Sequence, residues 1–376
     1  MSAPLRRGAC PSLAAPLPTG DGLLARLTVA ELTAAQLAGL ASIAARLGNG
    51  LVEVTARGSL QLRGLTPASA ARLGPALGDL GIAVAEGLPV VTGPLAGIDP
   101  DEIADPRPLV AALREGAAGL ALLPKVSVVV DGGGALPLDW LPADLRLVAV
   151  GPARWLLGAG GAGDVRAIGV HDPDAAVAAA LALLRTLATR RARGPDLLPE
   201  LAPEGRPLPA SGPAEPVGRF GAARGLGLPF GQADAAMLAG LAQAADTARF
   251  RPAPGRALMV VGAGDDAALV AAARRLGPVT DPDDPRRAVA ACSGAPACGA
   301  ALRPTRTLAA EIAGARLAGA GWTLHLSGCA KRCAQPAGRA VTLLATAEGW
   351  ELTGDGMAVP ADLSAALAPI IGRAGR

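Results

Sequence analysis

Tyrosine is absent from this chain, and three phenylalanines and four tryptophans bring the aromatics to only 2% of 376 residues. Single-stranded nucleic acids are gripped by stacking bases on aromatic faces, so that class of partner fits poorly. Net charge is +3, arginine far exceeds lysine, and no dense basic run occurs, which argues against nucleic acid of any kind. Scattered arginines suit a small polyanionic ligand better, because their forks pair bidentately with carboxylates. Long apolar runs are missing too. Apolar residues reach 51% and mean hydropathy is +0.38, yet the longest apolar helical stretch, Ala175 to Leu184, is stopped by Arg185. Arg6-Arg7 could open a twin-arginine leader, but Pro11, Pro16 and Pro18 stand where its apolar segment belongs. The expectation is a soluble, cytoplasmic protein with no membrane partner.

Five cysteines are present, and four fall in two tight pairs. Cys292 and Cys298 have five residues between them, Cys329 and Cys333 three. Four thiolates brought together can hold a [4Fe–4S] cluster, each iron taking one soft anionic ligand. The small residues around them leave backbone N–H groups free to bond the cluster sulfides. Disulfides are disfavoured in a reducing compartment. Structural zinc prefers two to four intervening residues, which suits only the second pair. An iron–sulfur site implies electron transfer, so redox chemistry is expected.

A proline-rich stretch, residues 194–216, has neither helical nor strand period and divides the chain as a linker. The two halves echo each other. Leu37-Ala-Gly-Leu-Ala41 and Leu238-Ala-Gly-Leu-Ala242 each lie in a helical segment followed by a strand and a glycine turn, an order that favours duplication. Further strands are expected over Pro124–Asp131, Leu145–Gly151 and Trp322–Leu326, and helices over Ala175–Arg190 and Leu308–Leu317. A helix starting at Cys329 would put that sulfur and Cys333 on one face. The glycine pattern Val260-Val-Gly262-Ala-Gly264, with Asp281 downstream, imitates a dinucleotide fingerprint but reads better as a duplicated lobe turn. Asp131-Gly-Gly-Gly134 likewise reads as a turn.

Ser327-Gly328-Cys329-Ala-Lys-Arg-Cys333-Ala-Gln335, with the upstream pair, resembles the cluster signature of the sirohaem-dependent sulfite and nitrite reductase family. Thr55-Ala-Arg57-Gly-Ser-Leu-Gln61-Leu-Arg63-Gly64 resembles that family's arginine-bearing strand, and Leu123-Pro124-Lys125 its lysine segment. The resemblance runs from about Arg6 to about Leu367. It implies an α+β fold with a pseudo-twofold duplicated, nitrite/sulfite reductase-like architecture. The expected parts are ferredoxin-like half-domains over 1–78 and 217–278, and α/β lobes over 79–193 and 279–376, the last with the cluster.

Departures from the reductases point to one branch. Ser127 stands where a second lysine would be, and Leu88-Pro89 where an Arg-Asn would be, so cations that neutralise an oxyanion substrate are lost. Arg7-Gly-Ala-Cys10-Pro11, Gly20-Asp21-Gly22 to Arg26, Gly48-Asn49-Gly50, Pro94 to Pro100 and Lys125 to Gly134 resemble the cobalamin-pathway branch, the precorrin-3B synthases. That resemblance implies O2-dependent hydroxylation of precorrin-3A at C20 with γ-lactone formation, an unidentified electron donor, and a mononuclear non-haem iron beside the cluster. Sirohaem is implied only under a reductase alternative, and an electron carrier without a tetrapyrrole site is the non-enzymatic alternative.

Cys292, Cys298, Cys329 and Cys333 are the expected cluster ligands, and whether Cys333 bridges to a second metal is open. Arg57, Arg63, Lys125 and Arg26 are the expected partners of substrate carboxylates; solvated strand-edge charges or an exposed salt bridge are the competing reading. Cys10 reads as a small buried or inert thiol. A two-His-one-carboxylate iron site would need both histidines, His171 and His325, from different halves of the chain. His325 leads into Cys329 and reads as a core or supporting residue, so the iron's ligands stay unassigned.

Overall fold

The computed structural model describes residues 11–161, 164–201, 206–208, 212–318, 321–336 and 338–374, so Arg6, Arg7 and Cys10 lie outside the described residues. In the first half, β1 (Leu17–Thr19), β2 (Gly22–Leu27) and β3 (Leu32–Thr33) lead into α1 (Ala34–Leu47), then β4 (Leu51–Val54), β5 (Leu60–Leu65) and α2 (Pro67–Asp79). α1 begins where it does because Thr33 and Gln36 form a capping box, each side chain closing on the other's backbone N–H. Leu37, Leu40, Ile43, Ala44 and Leu47 recur at helical spacing and are buried. Thr66 and Ser69 cap α2 in the same way.

An α/β lobe follows: β6 (Val90–Thr92), α3 (Arg107–Gly116), β7 (Val128–Asp131), β8 (Leu145–Gly151), β9 (Arg154–Gly160), β10 (Val165–His171) and α4 (Pro173–Arg190), with α5 (Gly194–Leu201) packed on β9. β6, β7 and β8 run parallel, and β9 and β10 return antiparallel. The strand expected from Pro124 starts only at Val128, because Lys125 adopts a φ of 72° that an extended strand does not tolerate. The proline-rich segment also departs from expectation at its start. Pro195 falls in the first turn of α5, where its missing N–H costs no bond, and Leu197 and Leu198 bury in the lobe core.

The second half repeats the order of the first with β11 (Gly218–Phe220), β12 (Ala223–Gly227), β13 (Gln232–Asp234), α6 (Ala235–Ala244), β14 (Arg249–Ala253), β15 (Ala257–Val261) and α7 (Asp266–Leu276). The repeated Leu-Ala-Gly-Leu-Ala serves packing. A Cβ on Gly39 would lie 2.5 Å from Leu80, and one on Gly240 2.6 Å from Leu276, so each glycine admits the leucine at the carboxyl end of its half's second helix. A second lobe closes the chain: β16 (Val289–Ala291), α8 (Arg306–Gly314), β17 (Thr323–Ser327), β18 (Ala340–Ala345), β19 (Trp350–Asp355) and α9 (Leu363–Ala374). Its β16, β17 and β18 run parallel with β19 antiparallel, the pattern of β6 to β9.

The two half-domains interlock. Their sheets have the orders β1-β2-β5-β4-β13 and β11-β12-β15-β14-β3, so each takes its last strand from the other half. α1 packs against α6, and one core runs through both, including Leu27, Ile43, Leu62, Leu226, Phe250 and Leu258. This double platform carries the two lobes.

Candidate functional site

Cys292 follows β16 and Cys329 follows β17, both at the carboxyl ends of parallel strands, where α/β sheets present ligands. No helix starts at Cys329. The chain turns instead, with Arg332 at a φ of 48°, and Arg332 is held there by Asp355 Oδ1 at 3.0 Å and Thr353 Oγ1 at 2.9 Å. The thiols are nonetheless mutual neighbours. The Cys333 thiol is pushed up by burial of its sulfur, although the residue as a whole is exposed; the other three cysteines push the same way, and only the Arg63 charge opposes them. Gly328 N–H donates to Cys292 Sγ at 3.2 Å, and Thr305 Oγ1 ties down the Cys292 carbonyl at 2.7 Å.

Among the described residues, no three His, Cys, Asp or Glu side chains are close enough to share one metal ion. A four-iron cluster binds each thiolate through a different iron, so its ligands stand wider apart than those of a single ion. Four thiols with a backbone N–H aimed at one of them fit such a cluster. His171, on β10, and His325, on β17, lie in different lobes and form no joint iron site with the cysteines.

The sheet face opposite α1 and α2 lies against this cysteine lobe. A row of cross-strand partners runs across it: Arg26 on β2, Gln61 on β5, Glu53 on β4 and Gln232 on β13. With the Gln61 amide oriented to match donors with acceptors, its oxygen accepts from Arg26 Nη2 at 2.8 Å and its nitrogen donates to Glu53 Oε2 at 3.0 Å. Gln232 Nε2 donates to Glu53 Oε1 at 2.5 Å and to Ser293 Oγ at 3.2 Å. The row therefore ends one residue from Cys292. Arg63, also on this face, reaches Glu53 Oε2 at 3.3 Å but gives its fork to Asp21, with Nε at 2.8 Å and Nη2 at 2.9 Å.

The expected carboxylate partners thus separate into two places. Arg26 and Arg63 belong to the polar row. Arg57, in the turn between β4 and β5, reaches across to the first lobe, donating to the Pro142 carbonyl at 2.5 Å and Ser127 Oγ at 3.2 Å. Lys125 is exposed two residues from Ser127, with its carbonyl held by Arg193 Nη2 at 3.2 Å. Sequence reasoning missed Asp21, Glu53 and Gln232, and also Arg256 and Arg306. Arg256 donates to the Ala334 carbonyl beside Cys333, and burial, opposed by Glu53, lowers the pKa of both arginines. Glu53 was within reach of a strict period-two reading of Leu51 to Val54, which puts it on the face of Gln61 and Arg63.

The duplicated counterpart of this face is closed. Register aligns Arg26, Gln61, Glu53 and Gln232 with Gly225, Met259, Arg251 and Glu31. Met259 there joins Ala223, Leu95 and Leu136 in an apolar plug against the first lobe, and Arg251 binds Glu31 and the carbonyls of Pro94 and Ala96. The loops after β6 and β7 carry no cysteine. One of two equivalent faces is therefore a polar site and the other a structural joint. The glycine pattern after β15 belongs to that joint: β15 pairs antiparallel on both sides, whereas a dinucleotide fingerprint needs a parallel βαβ unit.

Comparison with known proteins agrees with this architecture. Residues 16–79 match the model of the nitrite/sulfite reductase ferredoxin-like half domain. The chain is 42% identical to a Sinorhizobium protein named precorrin-3B synthase, over 95% of this chain and 84% of that one. The structure of the Mycobacterium tuberculosis NirA protein superposes with a TM-score of 0.67 at 20% identity, covering 88% of this chain and 74% of that one. No helix among the described residues is long and apolar enough to cross a membrane.

Proposed function

Since the chain belongs to the precorrin-3B synthase family of enzymes, on the nitrite/sulfite reductase-like fold, we propose that it oxidises precorrin-3A with O2. In this reading a hydroxyl is placed on the C20 meso carbon and a ring-A acetate closes a γ-lactone on the neighbouring carbon. One oxygen atom enters the substrate and the other leaves as water, with two electrons from a donor still to be identified. The observation that carries the reading is the identity to a precorrin-3B synthase along nearly the whole chain.

The site supports it in three ways. The polar row beside the cysteines offers a macrocycle rich in carboxylates a cationic, hydrogen-bonding floor, with Arg26 at one end and Arg57 and Lys125 at the edge of the first lobe. Arg63 lies beneath, its fork on Asp21 and its Nη1 on Glu53, so it fixes those two carboxylates under the row. Ser127, in place of a cation, accepts from Arg57 and so turns that arginine onto the lobe edge. A [4Fe–4S] cluster on Cys292, Cys298, Cys329 and Cys333 would supply single electrons there, and a mononuclear non-haem iron, its ligands unassigned, would supply oxygen chemistry.

The test is an anaerobic absorption and EPR spectrum with iron and sulfide analysis, followed by reaction with precorrin-3A, O2 and a reductant. Cluster signals without sirohaem bands, and a product carrying one additional oxygen atom, are expected. Sirohaem bands would move the assignment to a sulfite or nitrite reductase, and zinc without iron would refute both.

A further inference from the structure

The turn joining β1 to β2, Thr19-Gly20-Asp21-Gly22, takes no part in the chemistry above, yet it is firmly built. The Asp21 side chain is 1% exposed and accepts four hydrogen bonds: from Thr19 Oγ1 at 2.6 Å, Arg63 Nε at 2.8 Å, Arg63 Nη2 at 2.9 Å and Asn49 Nδ2 at 3.3 Å. A bidentate arginine–carboxylate pair in such a position is a strong and directional tie. Beside it, Gly20 rests on the cysteine lobe. A Cβ at Gly20 would stand 2.6 Å from Cys298 Sγ and 2.5 Å from the Ala300 Cβ, so only a glycine lets the turn lie on that sulfur. From the other side, a Cβ at Gly299 would meet the Gly20 carbonyl at 3.3 Å. β1 pairs with β2 alone at the edge of its sheet, so the hairpin has few other holds.

We propose that this hairpin is a latched cover over the Cys298 corner of the four-thiol site, held shut by the Asp21–Arg63 pair, which keeps dioxygen and water from that side of the cluster. The inference rests on the [4Fe–4S] reading above. It gives Arg63 a positioning role in place of direct contact with substrate. It also makes access to the cluster one-sided, because Cys333 is the exposed cysteine whereas the turn at Gly20 lies directly on the Cys298 sulfur. An enzyme that must admit O2 beside an oxidisable cluster has reason for such asymmetry.

The experiment uses protein purified anaerobically with its cluster, transferred to air-saturated buffer without substrate. Cluster absorbance and residual iron and sulfide are followed with time, and amide hydrogen exchange is measured over residues 19–24. Asp21→Asn should bleach about tenfold faster than wild type, the equivalent of about 1.4 kcal/mol removed from the closed hairpin. Its 19–24 amides should exchange faster in parallel, and Gly20→Ala should behave alike. Asp172→Ala, which removes the α4 cap in the first lobe, should loosen the fold but bleach at the wild-type rate. Wild-type bleaching in both hairpin variants, or equal acceleration in Asp172→Ala, overturns the cover. Wild-type protein purified without iron and sulfide would instead overturn the cluster reading itself, and the cover with it.

Discussion

Acidification offers a perturbation whose effect can be worked from one side chain. His325 is fully buried on β17, its Nδ1 3.1 Å from Thr342 Oγ1. That hydroxyl donates its own hydrogen to Asp355 Oδ2 at 2.6 Å, so Nδ1 must carry the ring proton. The lone pair is left on Nε2, which has no partner among the described residues. Burial above all, then the charges of Arg256 and Arg332, pushes the pKa down to about 4 against the pull of Asp355. An unfolded histidine titrates at about 6.5. Between those values the unfolded chain binds a proton that the folded protein does not. The stability contribution is therefore complete above the unfolded pKa and is lost as pH falls towards 4. Integrated over that window the loss is about 3 kcal/mol. Two histidines make the assay simple, since the His325 ring resonances are those lost in His325→Gln. They should stay those of a neutral Nδ1–H ring down to about pH 4, and the urea midpoint of wild type should fall more steeply between pH 6.5 and 4 than that of His325→Gln. A His325 titration near the unfolded value, or identical pH profiles in the two proteins, would refute the reasoning.

Three further outcomes are expected. Serine in place of any one of Cys292, Cys298, Cys329 or Cys333 should lower iron and sulfide content and abolish the native EPR signal, because one iron then loses its soft ligand. Arg57→Ala should weaken uroporphyrinoid binding by about tenfold or more, the scale of one charge-assisted hydrogen bond, while iron and sulfide per chain stay unchanged. Gly240→Val should destabilise by about 1–3 kcal/mol in urea unfolding, because the added side chain overlaps Leu276, and Gly39→Val should match it against Leu80.

The cysteine spacing and the Leu-Ala-Gly-Leu-Ala echo were legible because each is local. Two short intervals bring sulfurs together, and a repeated pentapeptide marks two helices that each admit a leucine over a glycine. Helix α4 was legible for the same reason, since Asp172 caps it just ahead of the apolar period that begins at Ala175. What was not legible depends on distant partners. Nothing near Arg63 in sequence announces that Asp21, in the turn between β1 and β2, takes its fork. The helix expected at Cys329 fails because Arg332 is drawn into a positive φ by Asp355 and Thr353, more than twenty residues later. Prolines concealed α5, whose Leu197 and Leu198 matter more than its helix propensity. The reciprocal loan of β3 and β13 has no local signature, since strands of two and three residues carry no readable period.

That loan has a consequence for how the chain is made. A ribosome releases β4 long before β13, with the whole first lobe emerging between them. Until Asp234 leaves the exit tunnel, β4 presents a bare sheet edge, open to any strand that passes. β3 waits still longer, for Arg249 and Phe250. The first sixty-odd residues of the half-domain therefore cannot finish as an independent unit during translation, and the first sheet able to complete itself is that of the first lobe, which takes all five strands from its own segment.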